Sequence, residues 1–444
     1  LVTGPGADPL NNGLDASPQH SSTLYTYNQA GNAWSAVTNT KTTNLSDHSG
    51  YLVFIRGDRH TSNLNTGNTS STTLKATGTI RTGDQQFITN AAVNGFTLIG
   101  NPYASPIDFN EAYTDLANAG TPGNTNVLRK FWIWDPTIGD RGAYVTVSYN
   151  GSGYDIVPLS DQTREIQSGQ AFFVQSEATG TPQFTVKESH KSSGNINTVF
   201  RQSTQAGKLV IQLDRKNADS SFTKTDGVQV SFQNGFSAGM DKYDALKMHG
   251  FDENLSLKRN QISLSIEALP ALSKNDTAFL GLSNMKIREY AFRIEPSGLT
   301  APGISAFLED SFLHTRTPIS LSAVTVVSFE VTANNQSSVA DRFRIVFNKT
   351  NPLPLTGTVT GISIYPNPVS GSSFTLFTTG LDPGSYILNI YGSSGICVLT
   401  TRISLQGKSF NHKVSVGRYL APGIYRIEIK NNRRKYTSTI MTIR

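Results

Sequence analysis

Apolar and polar residues alternate with a period of two along most of the chain. The segments GYLVFIRG (50–57), FTLIG (96–100), FWIWD (131–135), GAYVTVSY (142–149), AFFVQS (171–176), KLVIQL (208–213), GVQVSF (227–232), ISLSI (262–266), YAFRI (290–294), TVVSFEV (325–331) and RFRIVF (342–347) all show it. They are rich in β-branched and aromatic residues and bounded by Gly, Asn, Asp or Pro, so each reads as a strand closed by a turn. One stretch differs. DFNEAYTDLANA (108–119) places Phe109, Ala112, Tyr113 and Leu116 on one helical face, with Asp108 positioned as its cap. The class this predicts is all-β: two successive β-sandwich modules of jelly-roll or Ig-like type, followed by a small Ig-like C-terminal β-sandwich.

Two polar seams set the expected boundaries. KESHKSSGNINTVFRQSTQAGK (187–208) has almost no strand alternation, and NKTNPLPLTGTVTG (348–361) carries Pro352 and Pro354 just after RFRIVF. Pro-rich spacers favour extended, semi-stiff chain. The expected division is 1–200, 201–350, a linker at 351–360, and 361–444, which suits 444 residues. The chain begins at Leu1 without an initiating Met, so we expect a processed product or part of something larger, with the first module truncated at its N-terminus. No apolar run approaches eighteen residues, so no spanning helix is expected and no signal peptide remains.

Charge changes the picture only when it is divided. From Thr356 onward there are ten Lys and Arg against Asp382 and Glu428, a balance of +8, which leaves −2 for the rest of a chain whose net charge is +6. A general nucleic-acid binder would spread its basic residues and interleave aromatics for stacking, so no nucleic-acid partner is expected. The basic tail is either a solvated face or the counterpart of an acidic partner.

The search for catalytic chemistry finds no constellation. His20, His48, His60, His190, His249, His314 and His412 share no short ligand spacing, and Asp47-His48 and Asp58-Arg59-His60 sit in polar turns. Neither His-Glu-x-x-His nor Gly-x-Ser-x-Gly occurs, nor a glycine-rich loop leading from strand to helix. The single cysteine, Cys397, rules out an internal disulfide and reads as a small buried apolar residue of a strand. The neighbouring carboxylates Asp252-Glu253 and Glu309-Asp310 are not placed as a glycosidase pair. With Asp226 they could instead ligate calcium, although no EF-hand spacing is present. No other cofactor or metal is expected. Trp132 and Trp134 flank Ile133 and project to one face, as a platform for sugar rings or, more commonly for aromatics on one strand face, as packing. The expectation is a protein that is not an enzyme.

The tail holds the most specific pattern. ISIYPNPVSGSSFTLF (362–377) runs an alternating strand into Pro366-Asn367-Pro368, and two prolines so placed cannot sit in a central strand. PGSYILNI (383–390) and PGIYRIEI (422–429) are near copies, each a Pro-Gly turn feeding an alternating strand. YGSSGICVLTTRISL (391–405) has the signature of a hairpin, and Asn431-Asn432 turns the chain into a last strand. Six or seven strands in this space suffice for a small two-sheet sandwich.

In that order, YPNP, LNIYGSSGICV, LAPGIYRIEI and a basic strand closing in TIMTIR, residues 361–444 resemble the C-terminal sorting domain of type IX secretion substrates. VSVGRY (414–419) and Cys397 depart from the family's commoner residues. The resemblance implies cargo of a Gram-negative export system, secreted or displayed at the cell surface by way of the periplasm and outer membrane. Implied partners are an outer-membrane translocon barrel, its shuttle barrel protein and a sortase. The implied contact surface comprises Tyr365, Pro366, Asn367, Pro368, Pro422, Gly423, Tyr425, Arg433, Arg434 and Lys435. GNPYASPIDF, SGQAFFV and DRFRIVF resemble the β-sandwich modules that precede this tail in large surface proteins and adhesins, which implies an adhesin or surface stalk with no activity attached; a surface glycan is a candidate ligand. Asp276-Thr277-Ala278 fits the short O-glycosylation sequon of such exported proteins, with Thr277 as acceptor. The alternative is the carbohydrate-binding accessory region of a secreted hydrolase whose catalytic domain lies upstream.

Overall fold

A computed structural model of the chain describes residues 22–42, 44–45, 49–55, 78–115, 126–177, 182–192, 207–219, 221–299, 303–349, 361–365, 373–407, 409–416 and 420–442, with residues 2, 14 and 369 besides. The protein is all-β, as the alternation requires. It divides into two compact units, one of residues 1–134, 145–156 and 161–201, the other of residues 135–144, 157–160 and 202–444.

The first unit is built on strands β1 (Phe96–Gly100), β2 (Val127–Asp135), β3 (Ala143–Tyr149), β4 (Tyr154–Val157) and β5 (Ala171–Ser176), which form one sheet in the order β1-β5-β2-β3-β4. Its core is aromatic. Phe109, Phe131, Phe172 and Phe184 are all fully buried, with ring centroids 4.7 Å apart for Phe109 and Phe131 and 5.9 Å apart for Phe109 and Phe184. Phe109 opens helix α1 (Phe109–Thr114), where Asp108 accepts the N–H of Asn110 at 2.8 Å as its cap. The helix is shorter than the spacing predicts. Asp115 is extended (ψ 140°), and its carboxylate is held by Lys187 at 2.8 Å and His190 at 3.1 Å. Leu116–Ala119 lie outside the described residues.

The second unit opens with β6 (Gly207–Lys216), β7 (Phe222–Phe232), β8 (Asn254–Arg259), β9 (Ile262–Leu269), β10 (Thr277–Ser283), β11 (Arg288–Ser297), β12 (Ile304–Asp310), β13 (Thr315–Ile319), β14 (Thr325–Val331) and β15 (Phe343–Lys349). Their ladder runs β13-β12-β15-β10-β8-β9-β7-β6-β11-β14 and curls back on itself. Phe292 on β11 and Phe343 on β15, remote in ladder order, meet at 5.0 Å, and Phe329 on β14 meets Phe343 at 4.8 Å. The inward members of each alternating run fill this core, among them Leu209, Ile211, Val228, Leu257, Leu280 and Ile345. Charges are buried here with their partners, among them Arg342 on Asp310 at 2.7 Å and Lys247 on Asp226 at 2.5 Å.

The chain then forms β16 (Gly361–Tyr365), β17 (Ser373–Thr379), β18 (Gly384–Tyr391), β19 (Cys397–Leu405), β20 (Ser409–Ser415), β21 (Gly423–Lys430) and β22 (Lys435–Thr442). One sheet is β19-β18-β21-β22, while β20-β17-β16 continues the preceding ladder. The junction is a parallel pairing of β14 with β20, Thr325 opposite Ser409 and Val326 opposite Phe410. Ala291 and Val326 thereby join the core that contains Leu376, Leu388, Ile403 and Ile427.

Candidate functional site

The C-terminal sandwich explains its own repeat. In each Pro-Gly copy the tyrosine turns inward and donates its hydroxyl to the carbonyl four residues back: Tyr386 to Asp382 and Tyr425 to Ala421, both at 3.0 Å. The next two alternate residues, Leu388 and Ile390 in one copy and Ile427 and Ile429 in the other, are completely buried. Gly384 starts its strand at φ +146°, a conformation an L side chain rarely adopts. Burial raises the pKa of Tyr386, so its phenol stays protonated as a donor.

The residues predicted for the contact surface fall into two places. Tyr365 ends β16, while Pro366, Asn367 and Pro368 lie outside the described residues. Val369, just beyond them, bridges Thr442, and Gly423 pairs with Thr442 as well. Pro422, Gly423 and Tyr425 therefore lie at one end of the β21–β22 hairpin. Arg433, Arg434 and Lys435 lie at the other, about 24 Å along an eight-residue strand. There Asn431 accepts the N–H groups of Arg433 and Arg434 at 2.9 and 2.8 Å, closing the turn.

Register gathers a row of charges of which the sequence reading named only Lys435. On the outer face of the four-stranded sheet, Ile387 of β18 stands opposite Arg402 on one side and Lys430 on the other, and Lys430 stands opposite Lys435. One row across four strands thus reads Arg402, Ile387, Lys430, Lys435. The next row carries Asn389 and Glu428, and the third pairs Tyr391 with Arg426. Arg426 lies 5.0 Å over the Tyr391 ring. Glu428 is only 2% exposed and sits 2.6 Å from Lys435 and 3.6 Å from Lys430. The hydrogen bond from Lys435 lowers its pKa. The period-two spacing of Arg426, Glu428 and Lys430 is visible in the sequence; the addition of Arg402 and Lys435 needs the pairing partners.

Other predicted residues are placed as follows. Cys397 is exposed, which corrects the expectation of a buried strand residue. The pairing shifts between Ile390 and Tyr391, and the hairpin tip projects past the sandwich, leaving Ile396 and Val398 exposed on both sides of it. Trp132 is fully buried with its ring 5.0 Å from Phe96, so the indole is packing and not a platform; Trp134 is half-buried. Thr277 opens β10, half-buried. Asp226 faces Lys247, Asp252 faces Arg141 at 2.8 Å, Asp310 faces Arg342, and Glu309 faces Arg344 at 2.7 Å. Glu253 accepts the Tyr290 hydroxyl at 3.0 Å. Among the described residues no group of three or more His, Cys, Asp or Glu is arranged to hold a metal ion, and no helix is long and apolar enough to cross a membrane.

Comparison with known proteins gives two family matches. Residues 9–347 match the family described as Domain of unknown function (DUF8693), and residues 363–443 match the Secretion system C-terminal sorting domain. No curated protein matches the chain. Among solved structures it aligns with PorZ of Porphyromonas gingivalis, described as an essential bacterial surface component of the type-IX secretion system. That alignment has 11% identity and a TM-score of 0.18 over 95% of this chain and 42% of that one, too slight a likeness to carry an argument. The chain belongs to the DUF8693 family, and its sandwich at 363–443 is a type IX sorting domain that marks it for secretion or display at the cell surface.

Proposed function

We propose that the body of this protein is a non-enzymatic surface module, a stalk or adhesin, delivered by its sorting domain. The tail would be handled by the translocon barrel, then by a shuttle barrel protein and a sortase. The observation that carries the reading is the sorting-domain match at 363–443, joined to a body of curled sheet whose candidate acid–base residues serve as counter-ions. A carboxylate ion-paired to Lys or Arg in the wall of a sheet already has its oxygens engaged, which suits it to structure. On this reading Asp226, Asp252 and Asp310 do not ligate calcium, and the body's ligand is a surface glycan.

The test is a comparison of the purified chain on glycan arrays and in hydrolase assays with polysaccharide and peptide substrates. Saturable glycan binding without turnover is expected. Turnover that survives repurification and is abolished by substituting one carboxylate would overturn the non-enzymatic reading.

A further inference from the structure

We infer that the outer face of the β19-β18-β21-β22 sheet is the docking surface for an acidic protein component of the export machinery. The inference rests on the reading of residues 363–443 as a sorting domain. Neighbouring strands lie about 4.8 Å apart, so the row Arg402, Ile387, Lys430, Lys435 sets three cations along one line across the sheet. Like charges directly opposite one another destabilise a sheet. Lys430 and Lys435 are such a pair, and the nearly buried Glu428 beneath them relieves only part of the repulsion. With Arg426 in the third row, the face carries four cations against one carboxylate. A sheet whose outer face served only solvation would gain by mixing signs here.

Three further observations favour a protein as the occupant. The opposite layer of the sandwich is engaged along its edge, where β20 pairs with β14 and Ala291 and Val326 complete the core, whereas Arg402, Arg426, Lys430 and Lys435 on this face are all exposed. Exposed Ile387, Ile424 and Met441 are interspersed with the cations, the mixture of apolar anchors and charge on which protein interfaces rest. The cations stand on a rigid grid, with Arg426 pinned on Tyr391 and Lys435 on Glu428, which suits carboxylates presented at fixed spacing.

The test uses the full chain, made with a signal peptide in a host that carries a type IX system, and reads surface exposure by protease shaving. Arg402→Gln, Arg426→Gln, Lys430→Gln and Lys435→Gln are combined with Glu428→Gln, so that no carboxylate is left buried without its partner. Surface exposure is expected to fall about tenfold while the purified variant stays folded by circular dichroism. A chain ending at Thr356 reports separately on the sorting reading. Retention of the truncated chain with full export of the five-site variant would overturn the docking face alone; export of both would overturn the sorting reading and the face with it. If the five-site variant does not fold, Arg402→Gln with Arg426→Gln leaves Glu428 and its lysines intact. That pair is expected to cost about threefold, and export at the level of the unmodified protein would sink the inference. A second arm sediments the purified chain with phosphatidylcholine vesicles containing phosphatidylglycerol. No charge-dependent binding is expected, and binding that the Gln variant loses would assign the face to a membrane instead.

Discussion

Tyr425 donates its hydroxyl to the carbonyl oxygen of Ala421 at 3.0 Å, folding the phenol back over the Pro-Gly turn that launches its strand. Tyr386 does the same to Asp382 in the preceding copy. Each bond ties a turn to the first inward position of a central strand, so it fixes where the strand starts and which residues face the core. Tyr386→Phe and Tyr425→Phe should each cost about 1 kcal/mol of stability. Tyr386 should show the larger loss because its side chain is nearly fully buried. Urea denaturation of the two variants measures this, and an unchanged midpoint for Tyr386→Phe would remove the bond from the account.

Arg342 ties three segments of the body together. Its guanidinium donates to both oxygens of Asp310, at 2.9 and 2.7 Å, and to the carbonyls of Glu330 and Ser337 at 2.8 and 2.6 Å, while being 1% exposed. Removing one partner of such a pair leaves a buried charge. Arg342→Met should therefore cost about 3–5 kcal/mol, and adding Asp310→Asn should recover part of the loss. A double-mutant cycle in denaturant reads both steps.

The pH dependence of the tail follows from Glu428. Lys435 holds its folded-state pKa below the ordinary value of 4.5, so the carboxylate stabilises the fold above that value and loses its contribution as pH falls through the lowered one. The melting temperatures of the unmodified chain and of Glu428→Gln should differ most near neutral pH and converge as the solution is acidified below pH 4.5. A gap that widened on acidification would contradict this sign.

The junction of β14 with β20 is also open to test. Phe410 is 5% exposed and stands opposite Val326, which is 1% exposed. Phe410→Ala should cost about 3–5 kcal/mol, and amides of Thr325–Val331 should lose hydrogen-exchange protection. Retained protection there, with the rest of the tail destabilised, would show that β20 does not hold β14.

Strands that alternate cleanly were legible from the sequence because period-two burial is a local property. Runs such as Phe96–Gly100 and Thr325–Val331 appear with the bounds their pattern predicts. Leu24–Asn28 and Gln183–Val186 were not legible, since only Leu24 is buried in the first and three successive residues are buried in the second, so neither has a period of two in its burial. The end of the helix was hidden because Asp115 is drawn off by Lys187 and His190, more than seventy residues away. Cys397 was misread because apolar neighbours suggest burial, whereas a hairpin tip lifts both faces of the strand out of the sandwich. The sorting domain itself was readable from ordered motifs. Its cation row was not, because Arg402, Lys430 and Lys435 become neighbours only through the register of four strands.

Residues 361–444 are the signal for export. The direct measurement expresses the full chain and a chain ending at Thr356, each with a signal peptide, in a type IX host, and follows the body by protease shaving of intact cells. The full chain is expected to be shaved from the surface while the truncated chain stays protected in the periplasm. Equal shaving of both would contradict it.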